Sequence, residues 1–132
     1  MSDRSGLPLA VAVTAANTND IEAAKPLVRA IPAIRSRRGP RRCRPVKLHA
    51  DKAYDSTELR QWLRDRRVTP RIARRGIESS TKLGRHRWVI ERSIAWLLGR
   101  RRLATRYDRS ARLFCAFLTL AAALTCYDRL AK

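Results

Sequence analysis

Carboxylates are scarce in this 132-residue chain, with 11 Asp and Glu against 30 Lys and Arg, so each invites a reason. Most have an ordinary one. Asp20, Asp55 and Asp108 stand where helix caps are needed, while Glu58, Asp65 and Glu78 lie in basic, solvated segments. Two are harder to dismiss. Asp51 directly follows the short run Val46 to Ala50, within ADKAYDS. In open α/β sheets, ligand-binding groups collect at the carboxyl ends of strands. A strand-end acid that caps the next turn is the plain alternative.

Glu91 lies inside HRWVIERSIAWLLG. On a wheel turning about 100° per residue it falls between Leu98 and Ala95, with Ile94 close by. Apolar residues occupy nearly the whole circumference, which predicts a helix covered on both sides and a buried Glu91. An ionised carboxylate there is costly without a partner. A pair with Arg87, one turn back, or with Arg92 would balance the charge. A divalent cation shared with Asp51 would also explain why the charge lies inside. Two oxygen donors suit Mg2+ or Mn2+, ions that activate a nucleophile and stabilise a leaving oxygen in phosphoryl transfer.

The elements that must position these acids can be read from pattern. Residues 7–16 (LPLAVAVTAA) are apolar nearly throughout and predict a central strand. Asn17, Asn19 and Asp20 supply turn and cap chemistry for a helix over about 20–31, where Pro26 implies a late start or a kink. Residues 35–45 hold six Arg in the ten positions 35–44, without periodicity, and are expected to form a mobile loop. Val46–Ala50 is a strand delivering Asp51, and Asp55 or Ser56 caps a helix of about 56–67 with Leu59, Trp62 and Leu63 on one face. Val68–Ala73 is a further strand, with Pro70 suited to an edge. A polar, basic stretch over 74–87 precedes the Glu91 helix, which Gly99 stops. After a link over 106–108, a long helix runs over about 110–130. Strands alternating with helices predict an α/β layer with a mostly parallel sheet.

The formal charge of +19 points first to nucleic acid and second to an anionic membrane surface. Twenty-five of the 30 basic residues are Arg, as a GC-rich coding sequence also produces, but base composition does not account for the shortage of acids. With 45% hydrophobic residues the chain is no disordered basic tail. The first 20 residues lack the pattern of a signal peptide. Leu113–Tyr127 is apolar but shorter than the about 20 residues a span needs, and is expected to be a buried core helix. Cys43, Cys115 and Cys126 form no C-x-x-C pair. Cys115 and Cys126 on one helix would lie about 16 Å apart, too far to bridge. All three are expected to pack in a protein of the reducing cytoplasm.

Four blocks carry a resemblance: ANTND, ADKAYDS, WVIERSIAWLLGRRRLATRYDR and LFCAFLTLAAALTCYDRL. In order and spacing they resemble the C-terminal part of a bacterial insertion-sequence transposase of the DDE type, in the insertion sequence five group. The likeness covers about residues 3–130. It implies an RNase H-like fold, here incomplete: a mixed sheet flanked by helices with a long C-terminal helix, forming one partial catalytic domain over 1–132. It also implies catalysis by three acids holding two divalent cations, Mg2+ or Mn2+, at transposon ends. ADKAYDS places the second acid at Asp51 and ERSIAWL places the third at Glu91, with 39 residues between them.

The first acid of the family lies on an earlier strand, so the chain is expected to be truncated or frame-split, and inactive alone. Asp3 does not replace that acid, because DRSGLPLAV matches a turn entering the third strand and puts Asp3 at a hairpin end. A wider signature, Y-x-x-R-x-x-x-E-x-x-x-x-x-x-K, is met at Arg87 and Glu91 but not at Gly84 and Leu98. Lys52, Arg87, Arg92, Arg100 and Arg101 are candidate phosphate contacts, within Arg-rich segments 35–44, 60–75 and 100–112. Tyr54, Trp88 and Trp96 are expected to pack. The implied partners are transposon-end and target DNA, with no membrane, and either a second copy or an upstream-frame product. The implied place is the cytoplasm, at the nucleoid. The alternative is a non-catalytic basic DNA-binding remnant or regulator of full-length transposase, and a fragment that fails to fold alone is the third reading.

Overall fold

Asn19 starts the first helix because its side-chain oxygen accepts from the Ile21 amide at 3.1 Å, satisfying one of the orphan donors at a helix start. Helix α1 runs Asp20–Arg29 and carries Pro26 inside it. The computed structural model that shows this describes residues 1–35, 39–74, 76, 80–105 and 109–131, with the side chains of 80–87 outside the description. The chain divides into two compact units, residues 16–85 and residues 1–15 with 86–132.

In the first of these units, strand β1 (Lys47–Ala50) is followed by a 3-10 turn (Lys52–Tyr54), helix α2 (Thr57–Asp65) and strand β2 (Thr69–Ile72). β1 and β2 pair in parallel, with Lys47 opposite Thr69 and Ala50 opposite Ile72. A parallel pair needs a crossover, and α2 provides it. Ser56 caps α2 by accepting from the Leu59 amide, and Leu59 and Leu63 are fully buried on the predicted face. The helix stops without glycine. Arg67 adopts φ 57°, so its amide reaches Arg64 O at 2.7 Å and the Val68 amide reaches Leu63 O at 2.9 Å. That is the Schellman pattern, closed by buried Val68 and Leu63.

In the other unit, α3 (Ser80–Leu98) contributes its residues from 86 onward, joined by α4 (Arg101–Ala104) and α5 (Ala111–Leu130). The N-terminal segment lies along α3. Gly6 adopts φ +83°, and the buried Ser93 hydroxyl is 2.7 Å from Gly6 O and 2.8 Å from Val89 O, donating to one at a time. Ala10, Leu103, Ala121 and Ala122 are buried here.

Three expectations need correction. No strand forms over 7–16; the segment has only an isolated bridge between Ser2 and Pro8. Burial still alternates, with Gly6, Pro8 and Ala10 buried and Leu7 and Leu9 half-buried. The pattern is that of a strand, but among the described residues it pairs only with the short stretch Met1 to Asp3, through the single bridge at Pro8. The sheet is accordingly two-stranded and parallel rather than a larger mixed sheet. Finally, α5 is not a buried core helix. Ala121, Ala122 and Thr125 are covered, whereas Leu113, Leu120, Leu124, Tyr127 and Leu130 are exposed. By length and composition α5 is also apolar enough to cross a membrane.

Beside the Arg-rich segment 35–45, Ile34 and Arg42 form a two-bond bridge at 2.9 Å, and residues 36–38 lie outside the described set. The Glu91 helix starts at Ser80, earlier than its apolar pattern indicates. The expected link at 106–108, with Asp108, and Glu78 also fall outside the described residues.

Candidate functional site

Asp51 sits where β1 ends, exposed, and opens the 3-10 turn. Its Oδ1 accepts from the Lys52 amide at 2.6 Å, and its carbonyl accepts from the Tyr54 amide at 3.0 Å. The capping role and the strand-end position therefore coexist. Tyr54 is half-buried in this turn, against which α1 packs. Burial raises its phenol above the ordinary 10, and the nearby carboxylates of Asp20 and Asp51 push the same way.

The turn is held from behind. Arg60, one turn into α2, donates to Asp55 Oδ1 through Nε at 2.9 Å and Nη2 at 2.7 Å, and Nη2 also reaches Ile72 O at 3.0 Å. The Arg60 and Asp55 side chains are only 14% and 20% exposed. Arg60 lies in a segment expected to meet phosphates, yet its guanidinium is spent inside the fold. Sequence reasoning missed this role; the sign of the pair, Asp55 and Arg60 flanking a helix start, was available.

Glu91 is exposed, which corrects its expected burial. The covered face of α3 is Val89, Arg92, Ser93, Trp96 and Leu97, packed by the N-terminal segment and its neighbours. Glu91 belongs to the opposite stripe, with exposed Ile90, Ile94, Ala95 and Leu98. An apolar wheel shows which faces seek cover, not whether the same chain supplies it.

The candidate phosphate contacts separate into groups. Lys52 and Arg101 are exposed. Arg100 is half-exposed and pairs with Asp128 at 2.6 Å, tying the start of α4 to the end of α5. Arg92 is engaged within its unit: it donates to Ser5 O at 2.6 Å and lies over Trp88 at 4.3 Å and Trp96 at 5.0 Å. Trp88 is exposed rather than packed in a core, and Arg129 stacks on Trp96 at 4.4 Å. The Arg87 side chain lies outside the described residues.

Asp3 occupies a tight turn, its Oδ1 accepting from the Ser5 and Leu7 amides at 2.8 Å, as expected of a hairpin end. The cysteines are free thiols, and Cys43 is exposed rather than packed. Burial, and then the Asp3 carboxylate, raise the Cys126 thiol above its ordinary 9.

As ligands, the exposed carboxylates of Asp51 and Glu91 have the hard oxygen donors that Mg2+ and Mn2+ prefer. Asp51 lies in one compact unit and Glu91 in the other. No cluster of three or more Asp, Glu, His or Cys able to hold a metal occurs among the described residues.

Comparison with known proteins decides what this arrangement belongs to. The pattern of the transposase DDE domain family matches residues 1–126. The chain belongs to the DDE transposase domain family. A protein of Burkholderia cepacia, named as the inferred transposase for insertion sequence element IS402, is 45% identical over all 132 residues. This DDE transposase domain spans 63% of that relative's length. No solved structure matches it. The observed elements, a small parallel sheet with its crossover helix in one unit and a long C-terminal helix in the other, are consistent with part of an RNase H-like arrangement.

Proposed function

We propose that the chain contributes two acids, Asp51 and Glu91, and a basic surface to a transposase site that cuts and joins DNA at insertion-sequence ends. The observation that carries the reading is the family match over residues 1–126, with Asp51 placed at the carboxyl end of a strand. Asp51 and Glu91 would hold Mg2+ or Mn2+, which when bound activates the attacking oxygen and stabilises the leaving one. Lys52, next to Asp51, and Arg101, just after α3, would hold the DNA backbone against these acids. Water would attack in cleavage, and a free 3′-hydroxyl in joining. Within residues 1–132 two acids match the family motif, and two carboxylates hold two cations poorly, so this chain by itself is expected to lack strand-transfer activity. Its place of action would be the nucleoid, in the cytoplasm.

The formal charge of +19 supports a second reading, a DNA-binding protein without catalysis, since phosphate contact needs none of the acids. Divalent-dependent affinity separates the two. At constant ionic strength, Mg2+ should tighten binding of transposon-end DNA by the wild type about tenfold, or roughly 1.4 kcal/mol. Asp51→Asn and Glu91→Gln should each remove that gain while retaining the steep weakening with salt that phosphate contacts produce. If both variants respond to Mg2+ as the wild type does, the catalytic reading fails and the second stands.

A further inference from the structure

Asp51 hangs at the junction between β1 and a three-residue turn, with an exposed side chain and no packed core of its own to set its aim. A ligand on such a turn needs its backbone fixed from outside, because metal sites tolerate displacements of only about 0.5 Å. Two hydrogen bonds of the turn, Tyr54 N to Asp51 O and Asp55 N to Lys52 O, carry any constraint on Asp55 back to Asp51. The Arg60 guanidinium constrains Asp55. It reaches Asp55 Oδ1 through Nε and Nη2, and through Nη2 it also reaches Ile72 O, the carbonyl of the last residue of β2. Ile72 is opposite Ala50, the residue immediately before Asp51.

These contacts form a closed circuit: Ala50 pairs with Ile72, Ile72 accepts from Arg60, Arg60 holds Asp55, and Asp55 closes the turn that Asp51 opens. We propose that Arg60 is a positioning residue for Asp51, fixing the ADKAYDS turn against the end of β2 so that the Asp51 carboxylate is preset to meet a divalent cation. This rests on the reading of Asp51 as a metal ligand. A planar guanidinium suits the task, since its Nε and Nη2 meet one carboxylate oxygen while the same Nη2 reaches a backbone carbonyl. Lysine, with one ammonium centre, would keep the charge and lose the fork.

Backbone amide NMR of the full chain with added Mn2+ tests this, because the paramagnetic ion broadens amides near its ligand. The wild type should show selective broadening at Asp51 and Lys52, and Asp51→Asn should lose it. Removing Arg60 alone strips a mostly buried Asp55 of its guanidinium contacts and risks the fold, so the deciding variant is Arg60→Ala with Asp55→Ala, which removes both members of that pair. With the amide shifts of Leu63 and Val68 and a cooperative thermal transition retained, this double variant should need about tenfold more Mn2+ for equal broadening at Asp51, the usual cost of losing an outer-shell support. Arg60→Lys should fall between it and the wild type. Broadening at Asp51 in the double variant at wild-type Mn2+ concentrations would overturn the positioning role while leaving Asp51 a ligand. Broadening that survives Asp51→Asn, or its absence from the wild type, would instead overturn the ligand reading and the inference together.

Discussion

At Gly6 the chain turns with φ +83° against α3, and a Cβ there would stand 3.2 Å from Ser93 Oγ and 3.3 Å from the Arg92 guanidinium. Glycine is required twice over, for its conformation and for its size. Gly6→Ala should therefore destabilise this unit by about 1–2 kcal/mol from the backbone alone. Ser93→Ala should cost about 1 kcal/mol, the value of one buried hydrogen bond, in chemical denaturation. The sequence makes Glu91 conspicuous, yet the structure gives the packing role to its two successors. Arg92 and Ser93 secure the N-terminal segment through Ser5 O and Gly6 O, and Glu91 faces out beside Ile90 and Ile94. Glu91 is thus not a buried charge in need of a partner. Its candidacy stands on its place in the family pattern.

Among the elements, local chemistry made some readings legible and missing neighbours made others fail. The α1 and α2 starts follow from Asn19 and Ser56, and β1 and β2 from short runs on either side of α2 in which apolar residues alternate with polar ones. The end of α2 was approximate because Arg67 takes the left-handed position that usually announces itself as glycine. Residues 7–16 have strand composition and alternating burial, but a strand needs an extended partner, and among the described residues only an isolated bridge to Ser2 pairs there. Helix α5 is apolar around its whole circumference, so no wheel distinguishes its covered side from its open one. The structure does, and the difference is measurable. Leu63→Ala, in the full interior, should cost about 2–5 kcal/mol. Leu120→Ala, at a residue 56% exposed, should cost well under about 1 kcal/mol. Equal losses of stability from the two substitutions would mean that α5 is covered in solution.

For the whole molecule, the charge of +19 acquires a use once the family is known. Residues 35–112 hold 25 of the 30 basic residues and only seven acids, and Asp51 and Glu91 are two of the seven. Not all of that charge faces outward. Arg60 and Arg92 are consumed internally, and Arg66 lies over Trp62 at 4.0 Å, whereas Lys52 and Arg101 remain exposed near the two acids in sequence. The central proposal is that Asp51 and Glu91 both serve as divalent-cation ligands beside DNA. A Mn2+ titration of the chain bound to transposon-end DNA, following both backbone amides by NMR, tests it most directly. The Asp51 and Glu91 amides are both expected to broaden selectively, and Asp51→Asn and Glu91→Gln are each expected to abolish the broadening at the substituted residue. Broadening at one acid without the other, or at Arg-rich segments with neither, would contradict it.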